Sequence, residues 1–172
     1  MGVPHTDNLF VMPMKAKALI FVSSVILVFC LILLVTGSPI LGTPLVNKTA
    51  FPSGTIISWI GIIALTITIY LVFILLRHST RSNYKMLSYV LRSIVIFAAL
   101  WGLTGFLLAG NWAFIFQNHD EFRGSIEASR LFWIYTASLV LLPVLLILVF
   151  WLMILSKKLL EKSKQIPDNQ DN

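Results

Sequence analysis

The stretch LFWIYTASLVLLPVLLILVFWLMILS, residues 131–156, decides the fold. It runs for 26 residues without one charged side chain. A helix crosses a hydrocarbon core about 30 Å thick with about 20 residues, so this run is long enough to span a bilayer. Its apolar residues are continuous rather than alternating, which excludes a strand of a transmembrane barrel. Residues 16–37, 54–76 and 87–110 repeat the pattern, with charges only at Lys17 and Arg92. Backbone groups in lipid find no water, and a helix satisfies them internally. The expected fold is therefore an all-α polytopic membrane protein, a four-transmembrane-helix bundle.

The parts outside the spans are short. Residues 1–15 form an N-terminal arm, residues 16–156 a single transmembrane domain, and residues 157–172 a polar tail. With 172 residues, 58% of them hydrophobic and 12% charged, no segment is left that could bury a second core. The first apolar run exceeds the h-region of a signal peptide, so an uncleaved first span is expected.

The net charge of +6 is a topology signal. Lys15, Lys17, Arg77, Arg81, Lys85, Arg92, Lys157, Lys158, Lys162 and Lys164 fall on one side of the bundle, against Lys48, Arg123 and Arg130 on the other. Cytoplasmic loops carry the excess of Lys and Arg, which places both termini and the middle turn in the cytoplasm. A plasma or secretory-pathway membrane is the expected location. No basic surface interleaved with aromatics is present, so nucleic acid is not expected as a partner. Membrane lipid, other integral membrane proteins or a second copy are.

Punctuation between the spans agrees with this layout. Thr36-Gly37-Ser38-Pro39 followed by Gly42-Thr43-Pro44 stops the first helix. Asn47-Lys48-Thr49 is a glycosylation sequon on the side predicted to face outward, making Asn47 the acceptor candidate. Trp112 continues into an aromatic stretch expected at the outer interface, and Phe132, Trp133 and Tyr135 anchor the last span there.

Lipid tails are as apolar as leucine, so helices associate where small residues let backbones approach. Ser23, Cys30 and Gly37 lie seven apart on the first span, while Ser58 and Gly61 share a face of the second. Ala98, Gly102, Gly105 and Ala109 line one side of the third. The fourth is bulky and carries Pro143, which can kink it. The first three helices are thus expected to pack most tightly. The fourth is expected to face lipid or a partner through Leu141 and Leu145, with Trp112 and Trp133 as further contact candidates.

Reactive chemistry is not legible. No Asp, Glu or His falls within any span, and Arg92 is close enough to one end to snorkel. His5, His78 and His119 share no ligand spacing, so no metal site is expected. No nucleophile–base pair, phosphate loop or cofactor motif appears, and the lone Cys30 reads as a small hydrophobe. A catalytic role is not expected, nor is alternating-access transport.

Two strings carry a family likeness. Leu41-Gly42-Thr43-Pro44-Leu45 follows the first span, and Ser129-Arg130-Leu131-Phe132-Trp133 opens the last. With the inferred topology and sequon, the chain resembles the claudin, clarin and peripheral-myelin-protein group of tetraspan proteins. It departs from claudins in the first outer loop, which here has neither Trp nor Cys. The resemblance implies a non-enzymatic accessory, scaffold or adhesion-related subunit that associates laterally with other membrane proteins. The alternative is a lipid-handling or small-ligand protein with an interhelical cleft capped by Trp101, Trp112 and Trp133.

Overall fold

The computed structural model describes residues 14–46, 49–79, 85–112 and 123–164. Four helices account for nearly all of them: α1 (Met14–Val35), α2 (Ser53–Ser79), α3 (Lys85–Ala109) and α4 (Ile126–Lys164). Each contains a window long and apolar enough to cross a membrane. The molecule is an all-α four-helix arrangement, and its hydropathy makes it a multi-pass integral membrane protein.

Glycines end two of the helices. Gly37 (φ +60°) follows α1 and Gly110 (φ +71°) follows α3, both in the left-handed region that side chains with a Cβ resist. At α1 the Ser38 N–H reaches back to the Leu33 carbonyl and Gly37 N–H to Leu34, closing otherwise orphaned acceptors. Gly37 therefore serves as a helix cap. It does not extend the packing stripe of Ser23 and Cys30, and a Cβ there would meet nothing within 4 Å.

The connection from α1 to α2 holds more structure than its sequence suggested. A turn of 3-10 helix (Pro39–Gly42) leads into an antiparallel hairpin, β1 (Pro44–Val46) with β2 (Thr49–Pro52). Ser53 N–H donates to the Thr43 carbonyl at 3.0 Å, and the Ser53 hydroxyl bonds the Ile40 carbonyl. Buried Leu41 and Pro52 pin this cap to the bundle. The sequon residue Asn47 lies between the strands in sequence, outside the described residues.

At its start, α4 is capped by Ser125, whose hydroxyl accepts from Ala128 N–H at 3.1 Å, with Glu127 in the first turn facing the helix dipole. The helix then runs for 39 residues through Pro143 to Lys164. Residues 157–164, assigned to a polar tail from their charge, thus continue the helix. Lys, Leu and Glu are strong helix formers, and an existing helix needs no new nucleus to propagate.

Packing is centred on α2, which touches all three other helices. A third of the apolar window is buried in α2 and in α3, against 11% in α1 and 17% in α4. The closest helix pairs are α1 with α2 and α2 with α3, as their small residues predict, while α1 is the most peripheral of the four. α1 rests on α2 and leaves most of its surface outward, because Phe21, Val25, Phe29 and Ile32 all point away from the bundle. α4 buries a bulky face instead of a small one: Phe132, Leu139, Pro143 and Phe150 are enclosed, and Phe150 meets Phe73 edge-to-face at 4.8 Å.

Candidate functional site: an interhelical cleft

The small residues of α3 do what their spacing predicts. Ala98, Gly102, Gly105 and Ala109 are all buried. Across from them lies Trp59 of α2, whose indole N–H is shared between the Ala98 and Ala99 carbonyls at 3.2 Å each. A Cβ built at Gly102 would stand 2.5–2.7 Å from the Trp59 ring, so the absence of a side chain is what admits the indole. Trp59 gave no small-residue signal in the sequence. Its signal was an indole donor inside an apolar run, where it must find an acceptor.

On the other side of α2, Cys30 and Ser23 of α1 are buried, and Gly61 faces Cys30 closely enough that a Cβ would come 3.3 Å from the Cys30 Cβ. Lower on the same seam, Thr68 Oγ1 lies 3.0 Å from Ser23 Oγ and 2.7 Å from the Ala64 carbonyl, sharing its proton between them. Ser23 in turn donates to the Ile20 carbonyl at 3.1 Å. Ser23→Ala removes a hydroxyl that bonds across the α1–α2 seam and is expected to loosen α1 measurably. The stability loss is about 0.6 kcal/mol, the average for hydrogen bonds between membrane helices, read from unfolding in mixed micelles. An Ile26→Ala control on the outward face should leave the midpoint unchanged.

α1 and α4 stand apart above α2, and between them opens a cleft of about 300 Å³. α1 contributes Leu27, Cys30, Leu31 and Leu34; α2 contributes Ser58, Gly61, Ile62 and Leu65; α4 contributes Trp133, Thr136 and Val140. Trp101 of α3 reaches the cleft from behind. Its ring is fully buried beside Phe132 (5.6 Å), and its indole N–H donates to Thr136 Oγ1 at 2.9 Å. Thr136 passes its own proton to the Phe132 carbonyl at 2.9 Å, so this polar corner is satisfied. Tyr135 adds a further α4–α3 bond, its hydroxyl donating to the Phe97 carbonyl at 2.6 Å. Among the described residues, no buried side-chain nitrogen or oxygen lacks a hydrogen-bond partner. The cleft therefore offers apolar contact and makes no demand for a polar ligand.

Of the three tryptophans expected to cap such a cleft, Trp133 and Trp101 line it, with Trp101 at its back and not over it. Trp112 does not: it stacks on Phe106 at 4.6 Å, and its carbonyl accepts from Thr55 at 2.9 Å. The chain has already turned at Gly110, which carries Trp112 over α2. Trp133 is half exposed at the cleft mouth, while Leu141 (58% exposed) and Leu145 (54% exposed) lie on the outward ridge of α4. A second apolar hollow of about 350 Å³ between α2 and α4, reaching Leu76 and Trp151, lies toward the other end of the bundle.

Among the described residues no three His, Cys, Asp or Glu side chains come together. His5 and His119 lie outside that set. Arg92 is exposed in the second turn of α3. No protein-family model matches the chain, and neither the curated proteins nor the solved structures contain a match.

Proposed function

We propose that this chain is a non-enzymatic accessory or scaffold subunit that works by lateral association with other membrane proteins. One observation carries the reading: the outward ridge of α4, where Leu141, Leu145, Leu148 and Leu152 are exposed on a helix far longer than a bilayer requires. Such a ridge offers a partner helix a continuous stripe at i, i+4, i+7 spacing. The clarin-like strings and the distribution of Lys and Arg support a tetraspan subunit with both termini cytoplasmic, in the plasma membrane or secretory pathway. Polar side chains within the spans are engaged in hydrogen bonds that hold the bundle, which leaves its surfaces as the working parts.

The test is recovery of partners from membranes after Leu141→Trp with Leu145→Trp. Recovery is expected to fall about tenfold, as for a contact central to an interface, while expression and monodispersity stay unchanged. Undiminished recovery would remove the ridge from the interface.

A second reading, lipid or small apolar ligand handling, is favoured by the cleft between α1 and α4, which has the two tryptophans at its rim and back.

A further inference from the structure

We infer that the cleft between α1 and α4 seats one acyl chain of a glycerophospholipid whose phosphate is held by Arg130. This deepens the apolar-ligand reading and rests on it.

The shape of the cleft selects its occupant. Along α1 it extends from Leu34 to Leu27, and along α4 from Trp133 to Val140. Seven residues of helix rise about 10 Å, which is less than one leaflet of a hydrocarbon core about 30 Å thick. A volume of about 300 Å³ over that depth leaves a cross-section of about 30 Å². A helix with its side chains is about 10–12 Å across and does not fit. A single hydrocarbon chain does. Leu34 belongs to the last turn of α1, so the cleft reaches the level where the helix leaves the apolar core and extends from there toward the bilayer centre.

The mouth carries the polar recognition. Trp133, half exposed, makes no hydrogen bond among the described residues, and an indole at an interface presents its N–H outward while its ring stays in hydrocarbon. Arg130 lies one turn before Trp133 on α4 and is exposed. A guanidinium matches a phosphate with paired N–H donors, and at headgroup depth the anion available to it is the phosphodiester of a neighbouring lipid. Two other charged groups are near this end of α4. Glu127 lies a turn further out, at the helix dipole, and Arg123 precedes the helix; both are exposed. The site thus combines a slot for one chain, an interfacial indole and a cation in the order in which a glycerophospholipid presents chain, ester and phosphate.

The experiment uses the full-length protein, delipidated in detergent and titrated with phosphatidylcholine or with diacylglycerol of the same chains. Bound lipid is counted by native mass spectrometry. Wild type is expected to retain one phosphatidylcholine and to prefer it over diacylglycerol. Leu31→Trp, which fills the slot from the exposed side of α1, should abolish that retention. Arg130→Gln should weaken it about tenfold and Arg130→Lys less, as expected for loss of a charge-assisted contact. Ile96→Trp, on the outward face of α3, should change nothing. If Leu31→Trp abolishes retention while Arg130→Gln and the diacylglycerol titration match wild type, the phosphate contact is overturned and the apolar cleft stands. If Leu31→Trp retains lipid as wild type does, the cleft is overturned as a lipid seat along with the reading beneath it.

Discussion

Replacing Gly102 by alanine is expected to cost the bundle about 3 kcal/mol. Overpacking alone is worth about 1–3 kcal/mol, and here the added carbon would lie 2.5 Å from the Trp59 ring. The indole cannot simply retreat. Its N–H is anchored on the Ala98 and Ala99 carbonyls one turn away, so shifting the ring also strips a partly buried donor of its acceptors. The measurement is the unfolding midpoint in mixed micelles, with Gly42→Ala as the reference, since a Cβ at Gly42 would meet nothing within 4 Å. Trp59→Leu in the Gly102→Ala background should recover part of the loss, because the smaller side chain removes the clash. A Gly102→Ala protein as stable as wild type would mean that α2 and α3 do not meet through this indole.

Trp101→Ala is expected to cost a similar amount through the opposite route. Truncating a buried Trp costs about 3–5 kcal/mol in water-soluble proteins, part of it hydrophobic transfer. In a bilayer that transfer term is largely absent, because lipid is as apolar as the protein interior. What remains is lost dispersion against Phe132 and its neighbours, a cavity, and the bond to Thr136, which together place the loss near the lower end, about 3 kcal/mol. Trp101→Phe keeps most of the ring and should cost about 1 kcal/mol. Thr136→Val should cost at least as much as Trp101→Phe, since it takes the Thr136 acceptor from a buried indole N–H and also removes the bond from Thr136 to the Phe132 carbonyl. The same unfolding series orders the three variants, and Trp101→Ala should also enlarge the cleft that this ring backs. Equal effects of Trp101→Ala and Trp101→Phe would show that the hydrogen bond, not the packing, is what matters.

The spans were legible because continuous hydropathy over a bilayer's thickness leaves no other solution for the backbone. Their ends were partly legible. Gly37 announced a stop, but its place in a seven-residue series with Ser23 and Cys30 disguised a cap as a packing position. The start of α4 was written in Ser125, a capping hydroxyl, yet hydropathy pointed to residue 131, because Glu127 and Arg130 interrupt the apolar run. The hairpin was hidden for another reason. Strands of three and four residues carry too little pattern, and what holds them is the bond from Ser53 to Thr43, which no local window contains.

The candidate site divides in the same way. Gly102 and Gly105 could be placed from spacing alone, because one helix face is a local property. An interhelical cleft was expected, but the helices that line it were not legible, since it forms where α1 leans on α2 and stands away from α4. Of the three tryptophans expected to cap such a cleft, Trp133 and Trp101 line it, the latter from its buried back. Trp112 lies past the left-handed turn at Gly110 and stacks on Phe106 instead.

A rod of 39 residues is about 58 Å from tip to tip, nearly twice the thickness of the hydrocarbon it traverses. Its lysine-bearing end therefore stands clear of the hydrocarbon when about the first two dozen residues are within it. Pro143 gives up one backbone N–H near the rod's midpoint, the place where a helix of this length is most easily bent.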